Sequence, residues 1–166
     1  MIAPVVIGLG GNVGDELAIT SRFGRAREAL AQLGALRSAP LYRSAPIGPA
    51  QPAYLNTAVA LALAGGEPEA LIAALLELER VLGRRREREV RWGPRPIDLD
   101  VLVWGERRIA TAAIEVPHPR LADRKFALAP LVALVGERFA VPGVGAAGAL
   151  LQRVAGQACE EIAKVW

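Results

Sequence analysis

The apolar positions in the first 63 residues predict a strand, a helix and two further strands. Val5 to Leu9 is a short apolar run, typical of a buried strand. From Glu16 to Leu33 apolar residues recur at the spacing of one helix face. Leu36 to Tyr42 favours a second strand, and Leu55 to Leu63 alternates with the period of a half-buried strand.

The remainder of the chain predicts a helix, a strand and a C-terminal extension. Leucines recur at helical spacing between Pro68 and Gly83, and proline suits the first position of a helix. Asp98 to Trp104 is rich in branched apolar residues and predicts a strand. Phe126 to Leu134 and Ala146 to Gln157 predict two further helices.

The order of these elements is β-α-β-β-α-β, followed by the extension. This order predicts an α+β fold of the ferredoxin-like type, an antiparallel sheet with helices packed on one face. A single domain is expected over residues 1–166, because this length suits one core. The other face of the sheet is then expected to carry loops and the functional site.

Charge is concentrated in one stretch of an otherwise apolar chain. Hydrophobic residues make up 52% of the sequence, and the net charge is +3. Residues 84–95 hold six arginines and two glutamates, so this stretch carries +4 and the rest of the chain −1. Such a local charge predicts a focused site for an anion rather than a surface that coats nucleic acid.

The single cysteine and the single histidine exclude two classes of site. With only Cys159 and His118, the chain forms no internal disulfide and assembles no Cys/His zinc site. The first basic residue is Arg22, so no signal peptide is expected, and no apolar run approaches the ~20 residues that span a bilayer. A cytoplasmic protein without a membrane partner is expected.

Two aspartates on the last predicted strand suggest a metal site. Asp98 and Asp100 are two residues apart, so both side chains point to one face, while Leu99, Val101 and Val103 point to the other. Adjacent carboxylates repel each other unless a cation lies between them. Two aspartates suit Mg²⁺, which takes its remaining ligands from water and substrate phosphates. A pair of acids on a surface strand is the alternative.

Arginines precede these aspartates. Arg91 and Arg95 bracket Trp92, and the planar guanidinium suits a phosphate because it bonds two oxygens at once. A solvated charge run after a helix is the alternative. The glycines around Asn12 fail the dinucleotide-binding pattern, since Val13 stands where glycine is required, and a tight turn and a site role for Asn12 stay open.

Some residues have a structural alternative of equal simplicity. His118 lies between two prolines, where it either stiffens the loop or hydrogen-bonds a ligand. Tyr54, Trp92 and Phe126 are of types that pack in a core more often than they stack on a ligand, so a core role is the alternative for each.

The run from Trp92 to Leu102 resembles the signature of the 6-hydroxymethyl-7,8-dihydropterin pyrophosphokinase family of folate biosynthesis. The resemblance continues through Gly10–Asn12, Tyr42–Pro49, Tyr54–Asn56 and Val116–His118. It implies a ferredoxin-like fold and Mg²⁺-dependent transfer of diphosphate from ATP to the pterin hydroxymethyl group, with release of AMP. ATP and the pterin are then the partners, and a monomer is expected.

The resemblance also implies roles for individual residues. Asp98 and Asp100 would hold two Mg²⁺ ions, and Arg84 and Arg95 would be the catalytic arginines, with Arg85 and Arg86 as alternatives to Arg84. The implied pterin pocket comprises Ser44, Ala45, Ile47, Tyr54, Asn56, Trp92 and Phe126, with Trp92 and Phe126 sandwiching the ring. The implied ATP site comprises Glu79, Arg84, Arg91, Arg95, His118 and Arg124.

Departures from the family pattern bear on ATP affinity and not on the reaction class. Gly11 replaces a serine that is common there, and the arginine-rich stretch is one residue longer. Ala113 and Pro119 stand where some members carry an arginine and an aromatic residue. Two other functions stay open: a ferredoxin-like nucleic-acid-binding module, and a two-metal phosphodiesterase.

Overall fold

The computed structural model describes residues 4–63 and 65–166 of the chain. The strands are β1 (Val5–Gly11), β2 (Leu36–Ser38), β3 (Leu41–Ser44), β4 (Tyr54–Leu61), β5 (Asp98–Trp104), β6 (Ile109–Ala110), β7 (Glu115–Val116), β8 (Ala140–Val141), β9 (Gly145–Ala146) and β10 (Cys159–Ala163). The helices are α1 (Glu16–Ala31), α2 (Pro68–Val81), α3 (Lys125–Val135) and α4 (Ala147–Arg153), with short 3₁₀ turns at Arg86–Arg88 and Leu121–Asp123.

The structure combines helices with an antiparallel sheet. The main sheet has the order β10-β3-β4-β1-β5, and β2 pairs with β4 beside β3. Every pairing in the sheet is antiparallel. β6 pairs with β7, and β8 with β9, as separate two-stranded ribbons.

Apolar side chains on both faces of the sheet form two cores. Val5, Ile7 and Leu9 of β1 pack with Phe23 of α1 and Leu75 of α2. The alternate residue of the same strand, Val6, lies in a second cluster with Ala58 and Ala60 of β4, and this cluster includes Leu128 and Leu131 of α3 and Leu150 of α4. Helices therefore cover both faces.

The second core corrects the prediction of helices on one face only. That face of β4 carries Ala58 and Ala60, whose small side chains let α3 approach closely. Only the part of the face beyond these alanines is left uncovered for a site.

The alternation predicted for β5 holds for its first half. Leu99 and Val101 lie in the core beneath α1 and α2, as predicted. Val103 lies in the opposite core, because the register against β1 shifts by one residue: Ile7 pairs with Val101 but Val6 with Val103. Such a bulge inverts the alternation that follows it.

Other boundaries also differ from the sequence pattern. The strand predicted over Leu36–Tyr42 is broken into β2 and β3 at Pro40, which has no N–H to donate to a ladder. The last helix ends at Arg153, short of the predicted Gln157. β10 was not predicted, since its two adjacent glutamates give no alternation; it forms by pairing with the free edge of β3.

None of the helices in the described ranges is both long enough and apolar enough to cross a bilayer.

Replacing Leu128 tests the second core. Its side chain is fully buried between α3 and the sheet. We expect Leu128→Ala to lower the free energy of unfolding by about 2–5 kcal/mol, the usual cost of such a cavity. Urea denaturation followed by circular dichroism measures it. Leu17→Ala is the matched control, because Leu17 is 78% exposed and should change stability by less than about 0.5 kcal/mol. Equal effects of the two would contradict the packing described here.

Candidate active site

A cavity of about 530 Å³ opens on the uncovered part of the second sheet face. Its walls come from β1, β3, β4, β5, the turn before α3, and residues 84–95, called here the arginine loop. All but one of the predicted site residues line it: Ser44, Ala45, Ile47, Tyr54, Asn56, Arg84, Arg91, Trp92, Arg95, Asp98, Asp100, His118, Arg124 and Phe126. The exception is Glu79.

Two glycines of β1, Gly8 and Gly10, form the part of the cavity surface called here the glycine floor. Gly8 and Gly10 continue the alternation of Val6 on β1, so they face the cavity, and neither carries a side chain to fill it. A Cβ on Gly10 would come within 3.3 Å of Asn56 Oδ1. This role was not predicted from the sequence, although a glycine inside a strand can mark the close approach of a ligand.

The strand register sets the two aspartates beside this floor. Asp98 pairs with Gly10 and Asp100 with Gly8 across β1 and β5. The Asp98 side chain is 27% exposed and that of Asp100 41%. Burial, with the negative charges of Asp98 and Glu79, raises the pKa of Asp100 above its ordinary value. Asp98 is paired with Arg84 and Arg95, so the uncompensated negative charge lies mainly on Asp100.

Arg84 is buried at the root of the arginine loop and bonds three carboxylates. Its guanidinium donates to Glu79 Oε1 at 2.8 Å, to Asp98 Oδ1 and to both oxygens of Glu89. Burial alone would lower the pKa of Arg84, but the hydrogen bond to Glu89 and the charges of Asp98 and Glu79 raise it. The guanidinium stays charged and joins α2, the loop and β5.

Glu79 lies behind the cavity wall and not in it. It is 1% exposed and accepts from the Leu99 amide at 2.8 Å, from Arg84, and from Arg86 at 2.7 Å. Its oxygens are thus engaged by protein donors. Arg85 bonds the Arg80 carbonyl and does not line the cavity, whereas Arg86 does.

His118 is neutral and turned toward Asp100. Its Nδ1 accepts the Arg120 amide at 3.1 Å, so the proton is on Nε2, which lies 3.9 Å from Asp100 Oδ2. Burial, reinforced by the charge of Arg124, lowers the pKa of His118 to about 4. At neutral pH the imidazole can donate one hydrogen bond into the cavity.

Asn12 connects the arginine loop with the loop that precedes β4. The Arg95 amide donates to Asn12 Oδ1 and the Asn12 amide to the Arg95 carbonyl, both at 2.9 Å. Its Nδ2 donates to Gln51 Oε1 at 3.0 Å. A Cβ on Gly11 would lie 2.6 Å from the Pro96 carbonyl, which explains glycine at this position. Asn12 therefore supports the site without lining it.

Polar and aromatic groups line the end of the cavity near β3 and β4. Asn56 Nδ2 donates to Ser44 Oγ at 2.7 Å, and both side chains are buried. Asn56 Oδ1 faces Gly10. Tyr54 Oη donates to the Gly93 carbonyl at 3.0 Å, which fixes the phenol against the arginine loop. This end suits a flat ligand with hydrogen-bonding edges.

Arg120 also lines the cavity and was not predicted from the sequence; its guanidinium lies 4.7 Å from the centre of the Trp92 ring. No motif marked it.

The donor set limits any metal. Among residues 4–63 and 65–166 no group of three or more His, Cys, Asp or Glu side chains is arranged to hold an ion. Asp98 and Asp100 alone fit a cation such as Mg²⁺, which takes other ligands from water and phosphates.

Comparison with known proteins agrees with this picture. The profile of the 7,8-dihydro-6-hydroxymethylpterin-pyrophosphokinase (HPPK) family matches residues 6–136. The 2-amino-4-hydroxy-6-hydroxymethyldihydropteridine pyrophosphokinase of Pseudomonas aeruginosa is 37% identical over 135 residues, 81% of this chain and 82% of its own. That of a Synechocystis strain is 38% identical over 76% of this chain and 63% of its own length.

Longer proteins also match. The mitochondrial folate synthesis bifunctional protein of Pisum sativum is 42% identical over 80% of this chain, which spans 25% of that protein. The chain therefore covers less than two thirds of the Synechocystis and pea relatives. A crystal structure of HPPK-DHPS in complex with substrates shares the fold, with a TM-score of 0.68 over 92% of this chain and 43% of that one, at 12% identity. By its sequence match over residues 6–136, supported by the P. aeruginosa relative, this chain belongs to the HPPK family.

Proposed function

We propose that this protein transfers diphosphate from ATP to 6-hydroxymethyl-7,8-dihydropterin and releases AMP, a step of folate biosynthesis. The observation that carries the proposal is the joining of two chemistries in one cavity. An aspartate pair among arginines lies at one side, and the Asn56–Ser44 pair with aromatic rings lies at the other. Family membership and the pyrophosphokinase relatives support the same reaction.

The reaction balances without a covalent enzyme intermediate. The pterin hydroxyl oxygen forms a bond to the β-phosphorus, and the bond from that phosphorus to the oxygen bridging to the α-phosphorus breaks. AMP leaves with the bridging oxygen, and the hydroxyl proton passes to solvent. Catalysis of this kind depends on alignment and charge neutralisation, which the residues of the cavity supply.

The pterin end provides shape and edge recognition. Ser44, Ala45, Ile47, Tyr54 and Asn56 are proposed to surround the ring. The absence of side chains on the glycine floor leaves room for it, and Asn56 Oδ1 accepts from a ring N–H or amino group. Trp92 and Phe126, both in the cavity wall, are proposed to stack on its faces.

The phosphate end provides positive charge. Arg95 donates to Asp98 Oδ2 at 3.3 Å and is proposed to turn to the transferred phosphates. Arg91, Arg124 and neutral His118 line the same space and are proposed to hold ATP. We assign Glu79 an indirect part, since its oxygens orient Arg84 and Arg86.

Arg84 is the arginine of the loop that we assign to catalysis. Its bond to Asp98 places it beside the aspartate pair, whereas Arg86 lies against Glu79 and Arg85 lies outside the cavity. Its guanidinium is held by Glu79, Glu89 and Asp98, so contact with a phosphate requires the exchange of one of these bonds.

Asp98 and Asp100 are proposed to hold two Mg²⁺ ions together with ATP oxygens. When bound, the metal neutralises phosphate charge and lowers the pKa of the attacking hydroxyl. The two carboxylates would hold the ions, and Arg84 keeps Asp98 in its orientation.

We also infer a ferredoxin-like sheet. Without β10, and with β2 and β3 counted as one broken strand, the order β5-β1-β4-β3 is that of four strands numbered 4-1-3-2. Two clusters that share this sheet favour one domain over residues 1–166, with α3, α4 and β10 as the extension. A monomeric cytoplasmic enzyme is the state we propose.

Removing either aspartate tests the reaction. We expect Asp98→Ala and Asp100→Ala to lower kcat by at least about 100-fold, because the phosphate charge is then left unneutralised. The assay supplies ATP, Mg²⁺ and the reduced pterin and quantifies AMP with diphosphorylated pterin. Glu106→Ala, an exposed acid that does not line the cavity, is the control and should keep wild-type turnover.

The same assay separates the alternatives. Wild-type protein that forms ADP or inorganic phosphate, or cleaves phosphodiesters without pterin, would indicate a phosphodiesterase or phosphatase. Protein with no turnover that binds RNA would indicate a nucleic-acid module. Full activity of both aspartate variants would end the metal assignment.

Arginine replacements test the choice of Arg84. Arg84→Ala should lower kcat at least about 10-fold and also reduce stability, since it leaves Glu79 and Glu89 without their shared partner. Arg85→Ala should change neither. Kinetics and urea unfolding on the same samples are the measurements. Loss of stability with kcat unchanged would reduce Arg84 to a structural role.

A further inference from the structure

We propose that Arg120 is a positioning residue that holds Trp92, and with it the end of the arginine loop, over the cavity. The inference rests on the proposed function for its meaning but on the contacts of Arg120 for its evidence. Arg120 comes from the turn before α3, and Trp92 from the arginine loop. Their contact, 4.7 Å from guanidinium carbon to ring centre, joins two walls of the cavity.

Arg120 has a fixed backbone from which to act. Its amide donates to His118 Nδ1 at 3.1 Å, and its carbonyl accepts the Asp123 amide at 3.2 Å. The turn is anchored to β5 by the His118 amide, which donates to the Leu102 carbonyl at 2.9 Å, and to the core by Leu121, which is 1% exposed. The exposed side chain of Arg120 therefore reaches Trp92 from a rigid base.

Trp92 requires such support because its backbone is strained. Its φ is +62°, a region that a bulky residue adopts only when its surroundings compensate the cost. Gln51 Nε2 donates to the Trp92 carbonyl at 2.7 Å, which fixes the backbone but not the indole. Gly48 has no side chain where Trp92 packs against it, and a Cβ on Gly48 would lie only 2.6 Å from the Trp92 Cβ.

The other cation on this ring belongs to the same loop. Arg91 lies 5.6 Å from the Trp92 ring centre, but as the preceding residue it moves with the loop. Arg120 is outside the loop, so its contact with the indole resists movement of Trp92 and the end of the arginine loop away from the cavity. An exposed cation–π contact contributes about 0.5–1 kcal/mol, or roughly a 2- to 5-fold change in the population of the held state.

The chain contains a matched control for this contact. Arg107 lies 4.6 Å from the centre of the Trp104 ring, and neither residue lines the cavity. Arg107→Gln removes the same charge and the same kind of contact at a distance from the site. Arg120→Lys keeps a cation at the site itself.

The first measurement needs no substrate. Hydrogen exchange of the Arg95 amide, which ties the end of the arginine loop to Asn12 Oδ1 at 2.9 Å, should be roughly 2- to 5-fold faster in Arg120→Gln than in the wild type. Arg120→Lys should restore most of the protection, and Arg107→Gln should leave it unchanged. Unchanged exchange in Arg120→Gln, or an equal effect of Arg107→Gln, would overturn the proposal, whether or not the reaction is confirmed.

The second measurement connects the contact to substrate. In Arg120→Gln the KM for the pterin should rise about 2- to 5-fold, with kcat and the KM for ATP unchanged. A raised KM for ATP with an unchanged KM for the pterin would instead make Arg120 a phosphate contact and overturn the proposal. A lowered KM for the pterin would overturn it as well, because Arg120 would then be blocking the Trp92 face. If exchange of the Arg95 amide responds to Arg120 as expected but the wild type turns over no pterin, the proposed function is refuted and the contact stands.

Discussion

The antiparallel pairing of β1 with β5 is the constraint on which the site depends. It sets Gly8 opposite Asp100 and Gly10 opposite Asp98, so each carboxylate lies beside a residue that has no side chain of its own. On the other face of the same strands, Ile7, Leu9, Leu99 and Val101 are buried against α1 and α2. A slip of one residue would send the carboxylates into that core, and this cost fixes the register.

A buried ion network ties the arginine loop to this strand pair. Arg84 and Glu79 are almost completely buried, and bringing such charges out of water costs several kcal/mol unless they are fully paired. Arg84 meets Glu79, Glu89 and Asp98, while Glu79 also accepts the Leu99 amide. The charges are therefore compensated only when α2, the loop and β5 are assembled together. The same network orients one of the two carboxylates that we assign to metal.

The local pattern of the chain predicts much of this arrangement. β5 was predicted with its observed bounds, and the two aspartates share a face because alternation is a property of the strand itself. The reversal at Val103 was not predictable, since the bulge arises from pairing with β1. β10 was not predicted for a similar reason. Its sequence does not alternate, and the strand forms by pairing with the edge of β3.

The site residues also divide into those that motifs predicted and those whose positions depend on contacts between distant parts of the chain. Motif residues such as Asn56 and Arg95 were predicted by resemblance and do line the cavity. Glu79 was predicted to bind ATP but lies behind the cavity wall. It occupies a buried position of α2, where its carboxylate bonds the buried Arg84. Arg120 carried no motif, and its contact with Trp92 depends on two loops far apart in sequence.

The central claim is that the glycine floor makes room for a flat ring beside the aspartates. Gly10→Ala tests it most directly, since the added methyl would lie 3.3 Å from Asn56 Oδ1, at the cavity floor. Equilibrium binding of the reduced pterin is measured by fluorescence, with Mg²⁺ and a non-hydrolysable ATP analogue present. Gly24→Ala, in α1 with no atom within 4 Å of the added methyl, is the control. We predict pterin binding at least about tenfold weaker in Gly10→Ala than in the wild type, or about 1.4 kcal/mol, and unchanged binding in Gly24→Ala. Wild-type affinity in Gly10→Ala would contradict it.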